Sequence, residues 1–409
     1  MKNIRFTLLG LTTLILVSIA CGSLQVGVVS PTVEQEVLPE VETQEPTSAV
    51  VATSDEIIQP TAEPTAEPQA SLPAIAYRGQ DGNLWYLEAG SETPRQVTFD
   101  ANPMGNEEPS IEYNFPRLSS DGTLLAYQLD MGLPMAGGYD LTAGLWVLDL
   151  RTGEQRQILD GRPVGWAWQP GTHTLAYGPE IDMNYFINRG QPDPTLATGI
   201  LSVDLDSGET LELVPPERGY ALAGPNWSPD GRFLAFEEVW GMEGSGLFGY
   251  YDIENQAYVA WEEAIGSVSW SPDGGQLTYA RQTYAASGEE RLYLRPRQGD
   301  ERLIGPDYEG PAYATQPVFS PSGAQIAYLA YLDGPETQNA TLMVLDLDSV
   351  EPKPYGSFEG LWEVEWTPDG RQLVFSAGPW ESPQIVALDL ADGSQTVLAI
   401  GSQPTVAGP

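Results

Sequence analysis

A chain of 409 residues has room for two or three ordinary domains or for one repeat fold, and with 41% hydrophobic residues it can fill a large core. Its 57 acidic residues against 18 basic ones leave a formal net charge of −39, which suits a soluble surface and sets nucleic acid aside as a partner. A single cysteine, Cys21, permits no disulfide within the chain; with a single histidine, His173, it excludes zinc and iron–sulfur sites built on several such ligands, so no metal and no cofactor is expected.

The first residues read as an address. Lys2 and Arg5 precede a run of apolar and small residues from Phe6 to Ala20, the layout of a signal peptide and too short for a membrane-spanning helix. The run ends Ser18-Ile19-Ala20-Cys21-Gly22. This resembles the lipobox of bacterial lipoproteins, although Ser18 stands where leucine is usual and Val17 lies one place earlier. The resemblance implies that residues 1–21 are a lipoprotein signal peptide, that Cys21 is lipidated and becomes the new N-terminus, and that the protein is extracytoplasmic and anchored to a bacterial membrane.

Residues 22–72 are rich in Pro, Thr, Glu, Val and Ala and contain no Lys, Arg, Trp, Tyr or Phe. Such a segment buries too little surface to offset the entropy of ordering, and proline and like-charge repulsion keep it extended. It is expected to be a disordered tether.

From Pro73 one pattern recurs: an aromatic, a Ser-Pro-Asp-Gly turn, and a short apolar strand closing on Tyr or Phe. The clearest copies run from Trp227 to Phe236, Trp270 to Tyr279, Phe319 to Tyr328 and Trp366 to Phe375; weaker ones run from Leu118 to Tyr127 and Trp168 to Tyr177. With Tyr77 the closing aromatics stand at 77, 127, 177, 236, 279, 328 and 375, so successive spacings are 50, 50, 59, 43, 49 and 47. That is a propeller period, one four-stranded sheet per copy. Proline presets φ in these turns, aspartate caps them, and glycine accepts positive φ. A second apolar strand ending in an Asp/Gly turn follows each copy, as at residues 145–153 and 385–393, and then a short fourth strand.

The first unit lacks its inner strand. The C-terminus, Ser402 to Pro409, reads Ser-Gln-Pro-Thr-Val-Ala-Gly-Pro, much like the inner strand that starts Thr315-Gln316-Pro317-Val318-Phe319. The expected fold is all-β: residues 73–409 as a seven-bladed β-propeller of four-stranded antiparallel blades, its ring closed by the C-terminal strand, which hides free edges.

These residues resemble the TolB-type, WD40-like propeller repeat over the whole of 73–409. That family spans periplasmic scaffolds, surface lipoproteins, the propellers of serine oligopeptidases and some polysaccharide lyases, so the resemblance implies a fold more than an activity. The metal-binding lyases use several histidines, and His173 stands alone in a turn; no Gly-x-Ser-x-Gly elbow is present, and the turns lack the Asp-box spacing of sialidases. The Asp-rich turns at residues 204–208 and 346–348 lack the length and closing acid of an EF-hand loop. The chain is therefore expected not to be an enzyme. The alternative is a carbohydrate-active enzyme using acidic residues near the central channel, for which no spacing nominates a pair.

In an up-and-down blade the a–b and c–d turns share one face, here short and regular. The b–c loops and d–a links share the other, here long and irregular. On that second face Tyr139, Tyr185, Phe186, Trp240, Tyr308, Tyr313 and Trp380, with Met131, Met135, Met183 and Met242, are candidate recognition residues. The competing expectation is that they only pack the loops together. The chain reads as a non-enzymatic, monomeric surface module that binds a protein, peptide or glycan through this face. Replacing Cys21 with Ser should move the protein from the membrane fraction to the soluble one; membrane association that survives detergent-free washing would contradict lipidation.

Overall fold

A computed structural model describes residues 72–408 except 104–107, 136–137, 188–191, 240–245, 262–264, 283–288, 306–312, 333–338 and 350. Cys21, the expected signal peptide and nearly all of the expected tether lie outside the described residues, as do Trp240, Met242 and Tyr308. No helix among the described residues is long and apolar enough to cross a membrane.

The strands appear in chain order as follows. β1 (Ile75–Gly79), β2 (Leu84–Leu87) and β3 (Arg95–Gln96) are followed by β4 (Ser110–Leu118), β5 (Leu124–Met135), β6 (Gly138–Asp149) and β7 (Gln155–Asp160). β8 (Trp166–Trp168) and β9 (Thr174–Tyr177) lead through the short helix α1 (Met183–Ile187) to β10 (Ile200–Asp204) and β11 (Thr210–Val214). Then come β12 (Ala221–Trp227), β13 (Phe233–Val239), β14 (Gly246–Asp252), β15 (Ala257–Ala260), β16 (Val268–Trp270), β17 (Gln276–Gln282), β18 (Glu290–Pro296) and β19 (Arg302–Ile304). The last are β20 (Tyr313–Phe319), β21 (Gln325–Tyr331), β22 (Asn339–Asp346), β23 (Lys353–Glu359), β24 (Trp362–Trp366), β25 (Gln372–Ala377), β26 (Gln384–Asp389) and β27 (Gln395–Val406).

Consecutive strands pair antiparallel in sets of four: β4–β7, β8–β11, β12–β15, β16–β19 and β20–β23. One parallel bridge, between Glu290 and Tyr313, links the last two sets. β27 serves twice. Its first half pairs with β26, and its second half pairs with β1, setting Val406 opposite Ile75 and Thr405 opposite Ala76. The chain is all-β, built of mostly antiparallel four-stranded sheets, as in a propeller.

The recurrent turn works through its first residue. The hydroxyl of Ser228 donates to Asp230 Oδ1 at 2.5 Å and accepts the N–H of Phe233 at 2.9 Å; Thr367 does the same with Asp369 at 2.6 Å and Gln372 at 3.0 Å. Ser119, Ser228, Ser271, Ser320 and Thr367 are all buried, so each hydroxyl needs both partners. The turn glycine then accepts the left-handed conformation, as at Gly231 with φ +69°. The Ser271 hydroxyl and the Gly275 N–H hold the Asp273 carboxyl below its ordinary range, which keeps the cap charged.

Cores form between neighbouring sheets. All seven closing aromatics are buried, and Tyr127, Tyr279 and Tyr328 are completely enclosed. Truncating any of these rings to alanine costs about 3–5 kcal/mol. Tyr127 keeps its polar tip satisfied by donating to Gln155 Oε1 at 3.0 Å.

Apart from the single Glu290–Tyr313 bridge of β20, the first strand of each sheet has no further strand on its free side, so its polar groups bond across to the adjoining sheet. Trp168, Trp270 and Trp366 donate their indole N–H to the carbonyls of Arg117, Asn226 and Val318 at 2.9, 3.2 and 3.0 Å. The N–H groups of Leu118, Phe319 and Val406 donate to Thr405 Oγ1, Ser269 Oγ and Glu365 Oε2 at 3.3, 3.1 and 2.6 Å. A bulge precedes this position in β4, β12, β20, β24 and β27. There Phe115, Gln316, Glu363 and Gln403 take φ between +50° and +57°, a strained state for residues with a Cβ. Between β8 and β12 a glycine pair substitutes: a Cβ on Gly165 would stand 2.9 Å from the Gly224 Cα.

One expectation needs correction. Residues 131–135 and 138–139 are strand rather than loop, because β5 and β6 stay paired as far as Met135 and Gly138. Apolar side chains at every second position, Met131, Leu133 and Met135, give the stretch a strand period. His173 lies in its turn with both ring nitrogens close to carboxylates. Its Nδ1 lies 2.9 Å from Asp206 Oδ1 and its Nε2 3.3 Å from Asp121 Oδ2, and these contacts, that to Asp206 foremost, raise its pKa.

Burial pushes the Glu363 carboxyl up to about 7; Glu365 beside it adds to the rise, while Arg117 and the Gln403 N–H oppose it. Burial raises Glu365 too, against Arg117 and the Val406 N–H. A carboxyl raised on folding contributes stability that is full below its unfolded value, about 4.5, and lost as pH rises through about 7. Glu363→Gln should therefore stabilise the fold by on the order of 2 kcal/mol at pH 8 and have little effect at pH 4, measured by urea unfolding at both. An equal effect at both pH values would contradict this.

Candidate functional site

A cavity among the described residues has a volume of about 880 Å³, near the upper end of the roughly 300–1,000 Å³ usual for ligand sites. Its lining comes from the inner strands β20, β24 and β27 and from the b–c loops and d–a links of the same sheets, with β1 and the start of β18. It thus belongs to the irregular face.

Two glycines build the part around β24. Gly378 donates its N–H to the Glu359 carbonyl at 2.7 Å. Gly360, with φ +55°, comes so close that a Cβ there would stand 2.6 Å from the Gly378 carbonyl oxygen. Trp362 follows this contact directly and is 54% exposed. Beyond Gly378 a tight turn carries Trp380, which is 90% exposed. The turn is tied down at three points: Ser382 N–H to the Pro379 carbonyl at 2.9 Å, Gly401 N–H to the Pro383 carbonyl at 2.8 Å, and Gln80 Nε2 to the Glu381 carbonyl at 3.0 Å. Both tryptophans line the cavity on this rigid frame.

A second part of the lining gathers Tyr313, Tyr331, Thr315 and Glu290. Tyr313 is the antiparallel partner of Tyr331 and the bridge partner of Glu290. Burial raises the Glu290 carboxyl, and a hydrogen bond from Thr315 opposes the rise. Burial and the nearby Glu290 raise the Tyr331 hydroxyl. Arg78 supplies the one basic side chain of the lining; its guanidinium lies 3.8 Å from Glu112, and its Nε is buried without a hydrogen-bond partner. Against it stand Glu290, Glu359 and Glu381. No group of three or more His, Cys, Asp or Glu among the described residues is placed to hold a metal ion.

Of the candidate recognition residues, the structure brings Tyr313 and Trp380 together in this lining. Tyr185 is corrected: it is 3% exposed, and its hydroxyl donates to the Val239 carbonyl at 2.5 Å and accepts the Ala221 N–H at 3.0 Å, pinning α1 to β12 and β13. Phe186 is also corrected, being half-buried with its ring edge-on to Tyr185 at 5.5 Å. Tyr139 is half-exposed on β6 beside Gly132 and lines no part of the cavity. Trp362, Glu290 and Arg78 were missed. Trp362 carried a readable signal, since it occupies the inner-strand position held by Asn114, Ala223, Thr315 and Ser402 in other units, a bulky ring where these others are small.

No protein-family model matches the chain, and no curated protein matches it. Many solved structures do. Among them are TolB from Acinetobacter baumannii, at 12% identity and TM-score 0.47 over 82% of this chain and 67% of that one, and oligogalacturonate lyase from Vibrio parahaemolyticus, at 14% and 0.52 over 81% and 85%. A prolyl endopeptidase structure matches at 14% and 0.56 over 84% of this chain, which spans only 50% of that one. The last two likenesses show a shared fold, the β-propeller. They also correct the expectation that the chain is not an enzyme: a lyase and a peptidase carry this fold, so the propeller does not mark a protein without catalysis.

The glycine contact that frames the tryptophans is testable. Gly360→Ala combines a positive φ with a clash against backbone and should destabilise the domain by roughly 1–3 kcal/mol in denaturant unfolding. An unchanged midpoint would show that this link is not constrained as described.

Proposed function

We propose that this protein is a recognition propeller held outside a bacterial membrane by a lipid on Cys21, with residues 22–72 as its spacer, and that its ligand, a protein, peptide or glycan, sits in the cavity framed by Trp362 and Trp380. The observation that carries this reading is the pair of exposed indoles on a backbone fixed by glycine contacts, at the edge of a cavity of ligand size. Large rigid rings bury area at little entropic cost, so exposed ones beside a cavity are the usual anchors of binding. The propeller has seven blades and closes through its C-terminal strand in this proposal. The double pairing of β27, to β26 and to β1, supports that closure. The ligand meets a monomer.

The second reading is a carbohydrate-active enzyme. It is favoured by Glu363 and Glu365 on one inner strand, with Glu363 pushed up to about 7, where a carboxylic acid serves as general acid at neutral pH. Release of new reducing ends from a polysaccharide panel, abolished in Glu363→Gln, would favour it.

Screening against peptide and oligosaccharide arrays separates the readings. For any captured ligand, Trp362→Ala or Trp380→Ala should weaken binding by roughly 1–2 kcal/mol, about 5- to 30-fold, with the Tm nearly unchanged. Arg371→Ala, on a regular turn outside the cavity lining, should leave binding intact. Binding that survives both tryptophan changes would sink the proposed site.

A further inference from the structure

The chemistry of the lining narrows the ligand. We infer that the cavity takes a cationic peptide segment, one bearing lysine or arginine, an inference that rests on reading the cavity as a recognition site. Glu290, Glu359 and Glu381 line it against Arg78 alone. The Arg78 guanidinium is itself drawn toward Glu112 at 3.8 Å, so part of its charge is already answered from within the chain. An anionic ligand would meet three carboxylates and that one shared cation.

The aromatic groups point the same way independently of the acids. Trp362 and Trp380 present exposed indole faces, and an indole face is the best aromatic partner for an ammonium or guanidinium group. A cation over an indole and within reach of a carboxylate gains from both, whereas a neutral sugar uses the ring and gains nothing from the excess of negative charge. The formal net charge of −39 adds a long-range field that raises the local concentration of cations near the surface. The lining draws on several sheets, which suits a segment of chain better than a lone amine.

The test uses the full-length chain in detergent and fluorescence anisotropy of labelled hexalysine, hexaglutamate and a neutral hexasaccharide. Hexalysine should bind and weaken about tenfold or more between 50 and 300 mM salt, because exposed charges are screened within a Debye length. Glu359→Gln/Glu381→Gln should weaken it at least tenfold, and so should Trp362→Ala. A control removing two charges away from the cavity, Glu209→Gln/Asp392→Asn, should leave it unchanged. Equal losses in the two charge variants would reveal diffuse surface attraction and overturn the inference. Binding of hexaglutamate would overturn it as well. Trp362-dependent binding of the hexasaccharide without hexalysine would overturn the cationic ligand while leaving the recognition site standing. Absence of binding by every probe would remove both.

Discussion

The free edge of each innermost strand is the constraint on which the rest of the structure depends. A buried amide without a partner costs about 1–3 kcal/mol, and these strands have no further strand to pair with. The fold answers with a side chain from the adjoining sheet, one residue before that sheet's inner Val406, Trp270 or Trp366: Thr405 for Leu118, Ser269 for Phe319 and Glu365 for Val406. The indoles of Trp168, Trp270 and Trp366 close further junctions in the reverse sense, from aromatic to carbonyl. Where the device is missing, the backbone compensates. Trp227 Nε1 has no partner, and that junction relies on Gly165 and Gly224 in backbone contact.

The same constraint divides the molecule into a fixed end and a variable one. Most a–b turns are set by a hydroxyl at the end of the inner strand and, after Leu118, Trp227, Trp270 and Trp366, by a carboxylate two residues on, so they repeat with little change. The inner strands begin at the other end, beyond the bulge, where no turn cap prescribes the residue. Trp362 occupies such a position, and Trp380 lies on the loop tied to it through Gly360 and Gly378. A cavity arises there because the links and b–c loops are free to differ while their anchor points are not.

How much of this was legible in the sequence follows from the range of the forces involved. The turns and closing aromatics are local signals, and all appear where the repeat puts them. The kinship of residues 402–406 with an inner strand was legible for the same reason, and β27 pairs with β1 accordingly. Exposure was not legible: Tyr185 reads as a loop aromatic until Val239 and Ala221, far along the chain, supply partners for its hydroxyl. Glu363 and Glu365 read as ordinary strand acids, and it is their burial that raises them, against the opposing Arg117 and the N–H groups of the C-terminal strand. The cavity lining, drawn from residues as distant as Arg78 and Glu381, is a tertiary property with no counterpart in any local motif.

Native-state hydrogen exchange of the inner-strand amides tests the central claim most directly. If the junction bonds hold the sheets as one body, the N–H groups of Leu118, Phe319 and Val406 exchange only through global unfolding. They then show the same opening free energy and denaturant dependence as the enclosed amide of Leu125. Exchange of Val406 through a separate low-energy opening, with Leu118 and Leu125 still protected, would mean that the C-terminal strand frays by itself and that the junctions do not bind the structure together.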